Sequence, residues 1–211
     1  MPTPMDSRGW DRRYDGDELV WTSQANRFLI EEAAGLPAGR ALDVACGEGR
    51  NAVWLAERGW QVTGVDFSSV GVAKARALAR GRDVNARWLV ADLLDFEPDA
   101  EAFELVIVFY LQVPAAQRRS ILRAVAAAVA PGGLLLVVAH DSVNLARGYG
   151  GPQDPAVLYG SSDVAEDLSG TGLRIERAEI VERPVDTPEG TRIALDALLR
   201  ARRDRTRTEA P

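Results

Sequence analysis

The 211-residue sequence predicts an α/β fold with a doubly wound, mainly parallel sheet of seven strands whose last strand runs antiparallel. Three observations carry that expectation. Apolar runs of strand length alternate with longer Ala-rich amphipathic segments as far as His140. The early runs are Val- and Leu-rich with few polar interruptions, as in strands covered on both faces by helices. Beyond His140 a Gly/Pro-rich stretch leads to two further runs joined by a turn. Alternating strands and helices imply right-handed crossovers. A short return is antiparallel, because a parallel one needs a crossover of about a dozen residues.

Taken in order, the chain reads as a helix over residues 16–35, ending at Gly35-Leu36-Pro37, and then strands at 41–45, 61–65, 86–90, 104–109 and 134–139. Helices are expected between them near 50–58, 70–80 and 115–129, with Asn51, Ser68 and Pro114 at their starts. Pro131-Gly132-Gly133 reads as a helix stop that turns the chain into the fifth strand. Residues 142–160 read as a surface loop. A short helix follows at 161–168, capped by Ser161 or Ser162. The last strands lie at 173–182 and 191–201, around a turn at 184–190. One domain over 1–201, with residues 1–39 as a helical cap region, and a flexible tail at 202–211 complete the expectation.

Composition narrows the function. The apolar share is 46% and the charged share 27%, which excludes collagen-like and wholly disordered chains. The longest apolar run, 134–139, is far short of the ~18 residues of a membrane span. Residues 1–17 carry charges and Gly where a signal peptide needs an apolar stretch. The single cysteine, Cys46, forms neither an internal disulfide nor a Cys-based zinc site. A soluble cytoplasmic protein is expected. Twenty-five basic residues against 31 acidic give a net charge of −6. That balance argues against nucleic acid and membrane surfaces as partners, since phosphate neutralisation needs a basic excess. The Arg-dense stretch 200–207 is read as a strand end followed by a solvated tail.

The segment Ala41-Leu-Asp43-Val-Ala45-Cys-Gly47-Glu-Gly49-Arg-Asn51-Ala52 is a strand, a glycine-rich turn and a helix start. Gly47 and Gly49 let the backbone turn tightly and bring its N–H groups to a ligand. The helix start beyond them presents unsatisfied donors. Gly-x-Gly-x-x-Ala alone also fits a Rossmann-like dinucleotide site. Three acids sharpen the choice, although any single one could cap a helix. Asp66 closes the second strand, 19 positions after Gly47, where a carboxylate accepts ribose hydroxyls. Asp92 follows the third strand, placed to accept an adenine amino group while the Leu93 N–H donates to a ring nitrogen. Asp43 precedes the glycines, where it would repel a pyrophosphate but hold a cationic group. S-adenosylmethionine, a sulfonium with an ammonium and no phosphate, suits that arrangement.

Asp43-x-Ala45-x-Gly47-x-Gly49, Asp66 and Asp92 resemble the motifs of class I S-adenosylmethionine-dependent methyltransferases over residues 41–139. Cys-Gly-Glu-Gly-Arg-Asn-Ala followed by Leu-Ala-x-x-Gly-x-x-Val is most similar to small members of the tellurite-resistance and thiopurine type. Ala45 departs from the pattern, standing where the family has its first glycine; the turn itself is expected at Gly47 and Gly49. The resemblance implies cofactor contacts from Asp43, Ala45, Gly47, Gly49, Asp66, Phe67, Asp92, Leu93 and the Phe109 carbonyl. Arg27 and Arg50 are candidates for the cofactor's carboxylate.

Methyl transfer from a sulfonium asks mainly for alignment and exclusion of water. His140, the only histidine, is the candidate general base for an acceptor that keeps its proton. A purely structural histidine bonded to the following loop fits the same position. Tyr110 is the second catalytic candidate, facing the acceptor. Trp10, Tyr14 and Trp21 are read either as cation–π cover for the sulfonium or as a staple of the first helix. Cys46 is read as a small buried filler. The Phe109-Tyr110-Leu111-Gln112 stretch lacks the Asn/Asp-Pro-Pro of nucleic-acid amino-methyltransferases and the carboxylates of metal-assisted catechol enzymes. No metal is expected. The expected partner is a small-molecule methyl acceptor, and the chain is expected as a monomer or homodimer. Two other readings stay open: a nicotinamide-dependent oxidoreductase, and a protein that binds S-adenosylmethionine without catalysis.

Overall fold

The computed structural model describes residues 6–205; the remainder of the expected tail, 206–211, and residues 1–5 lie outside the described residues. The chain divides into two compact units, Met1–Glu97 and Pro98–Pro211.

In the first unit, α1 (Ser7–Tyr14) starts at Asp6, whose side chain accepts from the Gly9 N–H. α2 (Arg27–Ala33) starts at Asn26, which accepts from Phe28 in the same way. The single helix expected over 16–35 is therefore not formed. Gly16 takes φ +131°, a conformation outside the helical region, and the Thr22 side chain accepts from the Gln24 N–H. β1 (Arg40–Val44), α3 (Arg50–Ala56), β2 (Gln61–Asp66), α4 (Ser69–Gly81) and β3 (Arg87–Val90) follow, close to their expected bounds. β2 lies between β1 and β3, parallel to both. Ser68 caps α4 as expected, its hydroxyl accepting from Gly71. Asn51 lies just inside α3, and its side chain accepts from the Asn26 N–H, tying α2 to α3. Leu42, Val44, Leu55, Val65 and Val72 are fully buried and form the core here.

In the second unit, β4 (Phe103–Phe109) leads through Pro114 to α5 (Ala115–Ala127) and β5 (Val129–His140). Pro131-Gly132-Gly133 does not stop a helix but lies within β5. The pairing of β4 with β5 jumps from Phe103↔Val129 to Leu105↔Leu134, so the intervening residues bulge out of the ladder. The expected loop at 142–160 contains α6 (Asn144–Arg147) and a 3-10 turn (Pro155–Val157). α7 (Ser161–Asp167) is preceded by Gly160, not capped by Ser161 or Ser162, and Asp163 reaches back to the Gly160 N–H. β6 (Leu173–Thr187) and β7 (Gly190–Arg203) form a longer hairpin than expected, with a turn of only Pro188 and Glu189. β7 runs antiparallel to both β5 and β6, and residues 134–140 of β5 pair with 196–202. The hairpin beyond that stretch is a two-stranded ribbon, and β6 is exposed along most of its length. Leu134, Leu135, Leu136, Ile107 and Leu198 are each at most 1% exposed.

The strand order is β3-β2-β1 within the first unit and β4-β5-β7-β6 within the second. No helix among the described residues is long and apolar enough to cross a membrane.

α7 is anchored to α5 by a buried ion pair: Arg118 Nε donates to Asp167 Oδ2 at 2.6 Å, and Arg119 donates to the other oxygen. Asp167 is fully buried, and the Arg118 guanidinium lies 4.6 Å from the centre of the buried Tyr159 ring. Removing one partner of such a pair leaves an uncompensated charge in low dielectric. Asp167→Ala is expected to lower the unfolding free energy by about 3–5 kcal/mol, read as a drop in the urea midpoint. An unchanged midpoint would show that the pair contributes nothing.

Candidate active site

The turn after β1 is left-handed at three alternate positions, Ala45 (φ 58°), Gly47 (φ 51°) and Gly49 (φ 80°). Ala45 therefore shares the turn with the glycines, contrary to expectation, at a cost of roughly 1–2 kcal/mol. A Cβ on Gly49 would come within 2.6 Å of the Ala75 Cβ and 2.7 Å of the Trp88 ring; one on Gly47 would lie 2.8 Å from the Tyr14 hydroxyl. Only glycine fits that combination of φ and space.

Two carboxylates organise the turn. Asp66 Oδ2 accepts from the Gly47 N–H and Oδ1 from the Ser68 N–H, both at 2.8 Å. The Phe67 N–H adds a third bond, and a carboxylate with about four acceptor sites still has room for a further donor. Burial raises the Asp66 pKa despite those bonds. Asp43 is 1% exposed, and its Oδ2 has no hydrogen-bond partner. Burial, with the Asp66 charge adding to it, pushes the Asp43 carboxyl up to about 7, against the pull of the Ala52 N–H and the Arg50 charge. An orphaned, buried acceptor beside a turn that admits close approach fits a cationic hydrogen-bond donor.

The chain before α2 closes over this turn. Glu48, 4% exposed, accepts from the Val20 and Trp21 N–H groups at 3.1 and 3.0 Å and from Lys74 Nζ at 3.1 Å. Asp11 accepts from the Ser68 hydroxyl and the Val70 N–H, docking α1 on the start of α4. Tyr14 is buried, its pKa raised by that burial and by the Asp66 charge. The Trp10 ring lies 5.4 Å from Tyr14, and the Arg13 guanidinium lies near the Trp10 and Trp21 rings. Sequence reasoning missed Glu48 and Lys74, although an acid between two glycines and the only lysine were both visible.

The other expected cofactor residues have varied surroundings, Phe67 bonding Asp66 through its backbone. Asp92 is exposed at the end of β3 and accepts from the Leu94 N–H, making a local turn. Leu93 and Phe67 are half-buried. Arg27 projects from the exposed face of α2 onto Glu31 at 3.1 Å. Cys46, expected as a buried filler, is half-buried, and desolvation raises its thiol pKa.

The second unit has its own cluster. Phe109 is buried at the end of β4, and Tyr110 after it takes φ 56°, its N–H donating to the Val138 carbonyl. The Tyr110 hydroxyl donates to Asp196 Oδ2 at 2.8 Å, and Arg183 Nε donates to the same oxygen at 2.7 Å. His140 Nδ1 faces Asp196 Oδ1 at 3.3 Å, and the His140 N–H donates to Gln112 Oε1. The Tyr110 and His140 rings are 4.9 Å apart. Gly151 covers the His140 ring so closely that a Cβ there would come within 2.9 Å of it. The two catalytic candidates therefore meet on a carboxylate that sequence reasoning did not single out. The available signal was Asp196 itself, a lone acid within the apolar run Ile193-Ala-Leu-Asp196-Ala-Leu-Leu. Among the described residues no group of three His, Cys, Asp or Glu could hold a metal ion.

Comparison with known proteins fits this geometry. Residues 41–133 match the family described as methyltransferase domain. A ubiquinone biosynthesis O-methyltransferase of Stutzerimonas stutzeri (strain A1501) is 30% identical over 128 residues, covering 60% of this chain and 55% of that protein. The chain thus spans about half the length of the curated relatives it matches. Among solved structures, one concerning conversion of a disulfide bond into a thioacetal group during echinomycin biosynthesis aligns with TM-score 0.71 at 24% identity, covering 88% of this chain and 84% of that one. TehB from Haemophilus influenzae aligns with TM-score 0.69 at 15% identity, covering 94% and 67%. These likenesses show the fold, a Rossmann-like α/β sheet with a C-terminal antiparallel hairpin.

The raised Asp43 pKa has a consequence for stability. An Asp titrates near 3.8 when unexposed to such burial and at about 7 in the folded protein. Between those values the folded state holds the extra proton, so Asp43's contribution to stability is full below about 4 and lost as pH rises through 7. Asp43→Asn, which keeps an acceptor for Ala52 without the charge, is expected to raise the urea midpoint at pH 8 and to match the native protein at pH 4. Equal midpoints at pH 8 would contradict the buried-charge account.

Proposed function

We propose that this chain, whose residues 41–133 are those of a methyltransferase domain, transfers a methyl group from S-adenosylmethionine to a small-molecule acceptor. The observation that carries the reading is the orphaned Asp43 oxygen beside the Gly47–Gly49 turn. Bound there, S-adenosylmethionine supplies a methyl carbon activated by a positive sulfur. Asp43 would take a cationic donor and, on doing so, ionise. Asp66, its two oxygens already oriented by the Gly47 and Ser68 N–H groups, would take the ribose hydroxyls. A pyrophosphate meets two buried acids at the same turn, which disfavours a nicotinamide cofactor. Asp92, Leu93, Phe67, Phe109 and Arg27 complete the proposed cofactor contacts.

On the acceptor side, His140 is the proposed base and Tyr110 its neighbour. The O-methyltransferase relatives support an oxygen acceptor. Exposed Leu145 and Tyr149, on the segment that leads to Gly151, support one with an apolar body. A single domain acting without nucleic acid or membrane completes the reading.

Calorimetry with S-adenosylhomocysteine tests the cofactor half. The native protein is expected to bind it. Asp43→Asn, which loses one charge-assisted hydrogen bond, is expected to weaken binding about 10- to 100-fold. At pH 6.5 the native binding heat is expected to vary with buffer ionisation enthalpy, because Asp43 gives up its proton on contact with the ligand's ammonium. Absence of binding sinks the methyltransferase reading; binding with no buffer dependence removes Asp43 from it.

A further inference from the structure

We infer that Asp196, held by Arg183 and Tyr110, is a positioning residue that fixes the Nδ1–H tautomer of His140 and leaves Nε2 as the basic nitrogen. The inference rests on the proposed function for the role of that nitrogen, but its geometry lies wholly within the second unit.

The antiparallel register sets His140 opposite Asp196 across β5 and β7. Asp196 is fully buried, and its two oxygens divide their partners. Oδ2 takes the Tyr110 hydroxyl and Arg183 Nε, while Oδ1 faces His140 Nδ1 at 3.3 Å, with Arg183 Nη2 farther off at 3.4 Å. Burial alone would raise the Asp196 pKa, but the facing His140 and the bonds from Arg183 and Tyr110 bring it below the ordinary carboxylate value. An ionised carboxylate accepts and never donates, so the nitrogen facing it carries the proton. Nδ1 is buried. The His140 side chain keeps 16% exposure, and Nε2, unlike Nδ1, is not among the buried atoms without a partner. Gln112 on the His140 N–H, Tyr110 on one side of the ring and Gly151 against it hold that orientation.

The arrangement suits a hydroxyl that keeps its proton at neutral pH, as a phenol of pKa about 10 does. In the transfer, the acceptor's O–H proton passes to Nε2. The oxygen's electron pair forms the new bond to the methyl carbon, and the pair of the broken C–S bond stays on sulfur. The imidazolium so formed faces Asp196 and returns its proton to water. The Arg183 charge balances Asp196 while His140 is neutral, so the cluster gains one net positive charge only during the step.

His140 is the only histidine in the chain, so long-range ¹⁵N–¹H correlation of the untagged protein at alkaline pH reads its tautomer without assignment. The native protein is expected to show a protonated Nδ1 and an unprotonated Nε2. In Asp196→Asn, Arg183 and Tyr110 retain the amide oxygen and turn the amide N–H toward Nδ1, so the tautomer is expected to switch to Nε2–H. A native spectrum showing Nε2–H, or the averaged mixture of free histidine, overturns the inference, as does a variant that keeps Nδ1–H. If the variant does not fold, the native spectrum alone decides. Failure of S-adenosylhomocysteine to bind would remove the methyltransferase reading while leaving this tautomer assignment standing, so the two are separable.

Discussion

A single backbone amide, that of Gly47, donating to the Asp66 carboxylate across 2.8 Å, is the contact on which the first unit's site depends. It joins the turn after β1 to the end of β2, and the Ser68 N–H on the other oxygen ties in the start of α4. The bond lies in a turn whose Ala45, Gly47 and Gly49 all take left-handed conformations. Its second effect is electrostatic. Burial, with the charge of the fixed Asp66 adding to it, presses Asp43 toward its neutral form, and one of its oxygens is left unsatisfied. The strain in the turn, the closeness of two acids and the missing partner are one arrangement, stable alone only at some expense.

Most of the strand positions and nearly every helix of the parallel part were legible in the sequence, because local signals and tertiary packing agree there. Ser68 reads as a cap and is one. Asp43, Gly47, Gly49 and Asp66 read as a site because strand–turn–helix geometry converts their spacing directly into proximity. Reading failed where local chemistry was overruled at a distance. Pro131-Gly132-Gly133 has the composition of a stop, yet pairing with β4 on both sides carries the strand through it as a bulge. The helix foreseen over 16–35 gave way because Glu48 accepts the Val20 and Trp21 amides that a helix would have used.

Asp196 and Arg183 escaped for a different reason. Their relation to His140 is set by an antiparallel register between segments more than 40 positions apart. Nothing near His140 in sequence announces it. Once the register is known, the lone acid in an apolar strand stops being an anomaly: Tyr110 and Arg183 donate to it and His140 Nδ1 faces it, and its charge is the reason they can be buried together.

The exposed flank of β6 has a consequence for the chain's behaviour in crowded solution. An unprotected outermost strand is a template on which other molecules can nucleate fibres. Here Ile175 and Ile180 are interleaved with Arg174, Glu176, Arg177, Glu179 and Glu182, all exposed, and Pro184 offers no amide to an incoming strand. Stacking in cross-β fashion would require dehydrating that row of ions, so the same edge that leaves the ribbon open to water also guards it against amyloid growth.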